Sequence, residues 1–190
     1  METILAVVTG VGLSAACGFR IFVPLLVLNL AARYGYIHLA AGFVWIGGDY
    51  ATVAFATATL LEVIAYYVPW LDNMMDAIAS PVSVIAGTIA TASVITDMPA
   101  AVKWMVAIIA GGGIAGLLQG STAALRAKSS LLTGGAGNVA VSTLELAGST
   151  VTAVLAVLLP VVGVILVAAF VIYLMVRAGR NRLCKGNAGD

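Results

Sequence analysis

Long apolar runs separated by short polar knots set the architecture of this chain. Residues 1–16 are apolar but meet Cys17-Gly18 early, after about 14 helical positions, or roughly 21 Å against a hydrocarbon core of about 30 Å. Gly18 can turn the chain. A second run, residues 19–32, ends at Arg33-Tyr34-Gly35-Tyr36, where basic and aromatic residues suit an interface. Together these predict a re-entrant helical hairpin. Residues 37–50, with His38, Trp45 and Asp49, predict an interfacial loop, and residues 51–68 a span closed by Pro69-Trp70. The next span covers residues 77–95. Lys103-Trp104 opens a segment that meets Gln119-Gly120-Ser121-Thr122 and ends at Arg126 and Lys128, predicting a second hairpin. A Gly-rich loop at 131–137 precedes spans over 138–159 and 160–176.

The expected fold is therefore an all-α membrane protein of about eight helical segments, with broken or re-entrant hairpins in two weakly similar halves. The halves are residues 1–98 and 99–179, followed by a flexible basic tail at 180–190. The repeat shows in Thr59-Leu60-Leu61-Glu62 against Ser142-Thr143-Leu144-Glu145, and in Gly10 to Gly18 against Gly112 to Gly120. Paired interrupted segments of this kind point to binding sites in transporters. Composition agrees with burial in lipid: 62% of residues are hydrophobic and 9% charged, with a mean hydropathy of +1.12. A net charge of +1 without a basic block excludes nucleic acid as an expected partner. The lipid bilayer is the expected partner, along with a second copy or a larger membrane complex.

If both hairpins return to the side they entered, Arg33, Lys103, Arg126, Lys128 and the tail share one face. The positive-inside rule then places both termini in the cytoplasm, in a bacterial inner membrane, with Asp72 and Asp76 in an outer vestibule.

Arg20 is the costliest residue in this pattern, because a charge at membrane depth needs a partner or a wet cavity. Glu62, at similar expected depth, is the predicted ion-pair partner. In the second half Gln119, Ser121 and Thr122 stand where the first has arginine, so Glu145 is expected to face neutral groups and to act as the protonatable carboxylate. These six residues form the candidate substrate-binding or ion-pair site. Two cysteines and one histidine in separate segments give no expected metal centre, and Gly111-Gly112-Gly113 lacks the Lys-Ser/Thr ending of a phosphate loop. No cofactor or catalytic set is expected, so the chain is not read as an enzyme.

Gly12-Leu13-Ser14-Ala15 with Phe19-Arg20-Ile21 and Pro24-Leu25-Leu26, then Leu61-Glu62, Pro69-Trp70-Leu71-Asp72 and Asp76, resembles the small bacterial membrane proteins of the domain-of-unknown-function 4126 family. The resemblance covers most of the chain. It implies a membrane fold and supplies no reaction. The expected function is a small transporter, channel or lipid flippase with an intramembrane Arg/Glu site; the alternative is a non-catalytic membrane subunit, scaffold or lipid-binding module.

Overall fold

The computed structural model describes the backbone of residues 2–186. Its side chains are described except for Pro69, Trp70, Asp72, Asn73, Leu174, Met175 and residues 177–186. The described chain is helical throughout: α1 (Glu2–Cys17), α2 (Phe22–Arg33), a 3-10 segment (Ala41–Gly47), α3 (Asp49–Tyr66), α4 (Pro69–Val94), α5 (Ala100–Val106), a π-helical stretch (Ala107–Gly112), α6 (Gly113–Thr133), α7 (Asn138–Leu158) and α8 (Pro160–Gly186). Three stretches, Met74–Val94, Ala100–Thr133 and Asn138–Leu158, are long and apolar enough to cross a membrane. A fourth crossing comes from the 3-10 segment and α3, bent by 64°, if the pair is taken as one span. By length and composition the chain is a multi-pass membrane protein.

The first hairpin is present. Glu2, Tyr36, His38, Thr96 and Asp97 line one cavity, so α1 begins where α2 and α4 end. Lys103 lies 5.7 Å over the Phe43 ring, which brings the start of α5 to this same end, the hairpin base. Asn29 on α2, fully buried, fastens the 3-10 segment there: its amide donates to the carbonyls of Ile46 (2.5 Å) and Gly48 (3.3 Å) and accepts from Thr52 (2.9 Å). The segment expected as an interfacial loop is thereby packed against α2 as a 3-10 helix.

The second hairpin is not formed. Residues Ala100–Thr133 make one 34-residue helical path through the place where a break was expected. Ser121 donates to the Leu117 carbonyl (2.8 Å) and Thr122 to that of Gln119 (3.0 Å), so their hydroxyls are satisfied inside the helix. A single glycine costs about 1 kcal/mol in a helix, whereas a break in lipid would leave several backbone groups unpaired. The irregularity falls earlier, at the π-helical stretch ending in Gly112. There Gly111 presses against Thr91 and Gly87 of α4, and Ser14 of α1 donates to the Gly111 carbonyl. Small residues allow this approach, and hydroxyls fasten it: Thr91 donates to Gly10 (3.0 Å) and Ser149 of α7 to Ala16 (3.0 Å).

The two expected halves meet in the turn between α4 and α5, but only the first contains a hairpin. Pro81 lies inside α4, so the acidic stretch around Asp76, expected as an outer turn, is part of a 26-residue helix. The side chain of Asp72, expected in the same vestibule, lies outside the described residues. α8 continues to Gly186, so positions 180–186 of the expected tail are helical; arginine, leucine and lysine are good helix formers. Residues 187–190 lie outside the described residues.

The direction of the last helix bears on where the two ends of the described chain lie in the bundle. Gly163 of α8 abuts Ala156, Val167 packs with Ala15 and Leu118, and Phe170 meets Phe19 at 5.9 Å between ring centroids. These contacts run α8 parallel to α1, from the hairpin base toward the far end, so the start of α1 and the end of α8 point opposite ways. Arg126 meets Asp76 near the start of α4, remote from Arg33 and Lys103. Because α5 and α6 form one long helical path, the sequence between Lys103 and Arg126 runs one way along the bundle and does not double back. In a background lacking Cys17 and Cys184, Leu39→Cys and Thr96→Cys are expected to react with an impermeant thiol reagent from one face of the membrane and Gly135→Cys from the other. Labelling of all three from one face would contradict this topology.

Candidate functional site

The site begins with the way the hairpin turns. After Cys17 the chain stays close to α1, with the Phe19 and Arg20 amides both donating to the Ala16 carbonyl at 3.1 Å. A Cβ at Gly18 would stand 2.6 Å from Leu118 Cβ and 2.7 Å from the Ala115 carbonyl, so only glycine lets the tip lie against α6. α2 then starts with exposed amides, and Pro24 occupies a first-turn position where no donor is needed. Glu62 of α3 supplies the acceptors: Oε1 takes the Ile21 N–H at 2.8 Å and Oε2 the Phe22 N–H at 3.1 Å. A carboxylate at a helix N-terminus is favoured by both the hydrogen bonds and the dipole.

Arg20 therefore finds a different carboxylate from the expected one. Among the described residues no ion pair joins it to Glu62. Its Nη2 lies 3.8 Å from Glu145 Oε2 and donates to the Ser142 carbonyl at 3.0 Å. Arg126 of α6 forms a closer ion pair with the same Glu145 oxygen, and its Nη1 meets Asp76 Oδ1 at 2.5 Å. Both guanidinium carbons stand over the Tyr66 ring, at 3.9 Å for Arg20 and 4.0 Å for Arg126 from the centroid. Arg20 and Arg126 are each 1% exposed, Glu62 3% and Glu145 4%. Among the described residues Arg20 Nε and Nη1 have no hydrogen-bond partner, nor does Gln119 Nε2.

The two glutamates thus meet different partners from the expected ones. Glu145 faces two arginines, while Glu62 faces backbone N–H groups. Gln119 and Thr122 are buried on the inner face of α6, but among the described residues no hydrogen bond joins them or Ser121 to Glu145. Asp76 is half-buried and belongs to this cluster, so its expected place in an outer vestibule is corrected: Arg126 turns it inward. Gly10 and Ser14 of α1, Thr91 of α4 and Ser149 of α7 hold the surrounding helices in register.

The sequence alone gives Arg126 a place among the basic segment ends and Ser142 one in the repeat, and it assigns neither to the site. The signal for Arg126 was spacing: Gln119, Thr122 and Arg126 lie at i, i+3 and i+7, a polar stripe on an apolar helix. α7 carries the matching stripe, Asn138, Ser142, Glu145 and Ser149, every member buried. Polar stripes that point inward are the membrane inverse of a soluble amphipathic helix.

Fold and site together define a multi-pass helical membrane protein with a largely buried ionic cluster at the tip of a helical hairpin. Residues 7–180 match the family model described as a domain of unknown function, DUF4126, and the chain belongs to that family. Neither the curated proteins nor the solved structures contain a match. The family carries no assigned activity, so function must be argued from the cluster itself.

Proposed function

We propose that the protein is a small membrane transporter, channel or lipid flippase whose pathway runs through the cluster of Arg20, Arg126 and Glu145. The observation that carries this reading is the convergence of inward polar stripes on α6 and α7 with a charged hairpin tip inside an apolar bundle. Ionisable groups at such depth are costly, and a pathway is the commonest reason for keeping them. The hairpin reaches the cluster from one side only, and cavities of about 340 and 400 Å³ lie around its base. In this reading α1 and α2 move against α6 and α7 to admit solute, and the proposal includes no covalent chemistry.

The proposed setting is a bacterial inner membrane. The far end carries Lys128 and the sequence positions Arg177, Arg180, Arg182 and Lys185, against Arg33 and Lys103 at the hairpin base. The positive-inside rule then favours a cytoplasmic far end, with the hairpin entering from outside.

A second reading, a structural subunit or scaffold, is favoured by the sealing of the cluster: Arg20 and Arg126 are 1% exposed, and the cavities at the hairpin base contain no member of it. Proteoliposomes separate the two. Wild type is expected to move at least one of three probes, a labelled small anion, protons reported by a trapped dye, or a fluorescent phospholipid, and Glu145→Gln to reduce that flux about tenfold or more. Absence of all three fluxes from folded wild type would turn the assignment to the structural subunit.

A further inference from the structure

We propose that Arg20 and Arg126, over the Tyr66 ring, form a binding site for an oxyanion, a carboxylate or phosphate group, in which Glu145 is the resident occupant. The inference rests on the transport reading for its purpose, but its geometry stands alone. Two guanidinium groups converge on one carboxylate oxygen, Glu145 Oε2. That is the chemistry by which proteins recognise carboxylate and phosphate. A cation drawn to Glu145 would meet both guanidinium groups at close range, so the site selects negative charge.

Arg20 shows that the site has donors to spare. A guanidinium has five N–H donors. Among the described residues Arg20 hydrogen-bonds through Nη2 alone, toward Ser142 and Glu145, and Nε and Nη1 have no hydrogen-bond partner although the side chain is 1% exposed. Buried donors left unfilled are costly, and a purely structural pair would be expected to fill them. Gln119 Nε2, buried on α6, is likewise without a hydrogen-bond partner among the described residues. The other carboxylates are otherwise engaged: Asp76 holds Arg126 Nη1, and both oxygens of Glu62 accept backbone N–H groups. An arriving oxyanion therefore competes with Glu145 alone, taking its place between the arginines while the glutamate swings aside.

The oxyanion can arrive free in solution or as a lipid headgroup. Protein in zwitterionic phosphatidylcholine nanodiscs, titrated with radiolabelled inorganic phosphate, tests the shared chemistry. Wild type is expected to bind phosphate saturably, in competition with sulfate and not with chloride. Glu145→Gln, which removes the resident carboxylate, is expected to bind about tenfold more tightly. Arg20→Lys is expected to bind about tenfold more weakly, and Arg33→Gln, remote from the site, to bind as wild type does. Doping the discs with phosphatidylglycerol separates the sources: weakened phosphate binding identifies a lipid headgroup, unchanged binding a soluble anion. Failure of folded wild type and folded Glu145→Gln to bind phosphate or retain phosphatidylglycerol overturns the proposal. Flux of protons or a neutral solute alongside that failure would leave transport standing, whereas phosphate binding without any flux would leave the site and remove the transport reading.

Discussion

Arg126→Met is expected to destabilise the protein by about 3–5 kcal/mol, because it takes the guanidinium away from Asp76 and from the buried Glu145. Asp76 keeps some exposure, at 16% of its side chain, whereas Glu145 at 4% does not. Glu145→Gln alone leaves Arg20 and Arg126 without their shared acceptor, so it also destabilises. Combined, the two changes should cost less than their sum, since each removes the charge the other had left unanswered. Unfolding titrations in mixed detergent micelles, run as a double-mutant cycle, measure the coupling. Strict additivity would show that the ion pair contributes nothing.

The second large effect is expected at Glu62. Glu62→Leu leaves the Ile21 and Phe22 amides without acceptors at the hairpin tip, at about 1–3 kcal/mol for each buried donor. Glu62→Gln retains a carbonyl oxygen and is expected to lose less than half as much. The same micelle titration ranks the two, and equal losses would mean that charge, not capping, is the role of Glu62. The cycle of Arg20→Met with Glu62→Gln should show weaker coupling than that of Arg126 with Glu145, because Arg20 makes its ion pair with Glu145 and none with Glu62.

These roles show how far the sequence could be read. Apolar run lengths were enough to place the α1–α2 hairpin, since a run too short to span followed by Gly18 has few other solutions in lipid. The closeness of Glu62 to the hairpin tip was legible for the same reason. The partners of Arg20 and Glu62 were not, because position along a helix fixes height and leaves azimuth open. Glu62 points at the start of α2, and Glu145 points at the arginines. The second hairpin was misread because Gln119-Gly120-Ser121-Thr122 looks like a polar break, whereas the Ser121 and Thr122 hydroxyls bond within their own helix. With that break removed, residues 100–133 form one apolar helix long enough to cross, and Arg126 moves from the interface near Arg33 to the cluster. The buried polar stripe on α7 was present in the sequence at helical spacing. A search for inward polar periodicity, in place of single charges, would have found it.

The most direct test is whether water ever reaches the cluster in the folded protein. Cys17 sits at the hairpin tip, fully buried, and in a Cys184→Ser background it is the one remaining thiol. With the protein in lipid vesicles well below its unfolding temperature, a small hydrophilic thiol reagent is expected to label Cys17 steadily. Arg126→Lys, which keeps the charge but loosens the contacts with Glu145 and Asp76, is expected to speed the labelling. Those results would mark a site that opens. Labelling that tracks global unfolding alone, at the same rate in both proteins, would contradict the account and leave the cluster as a fixed brace.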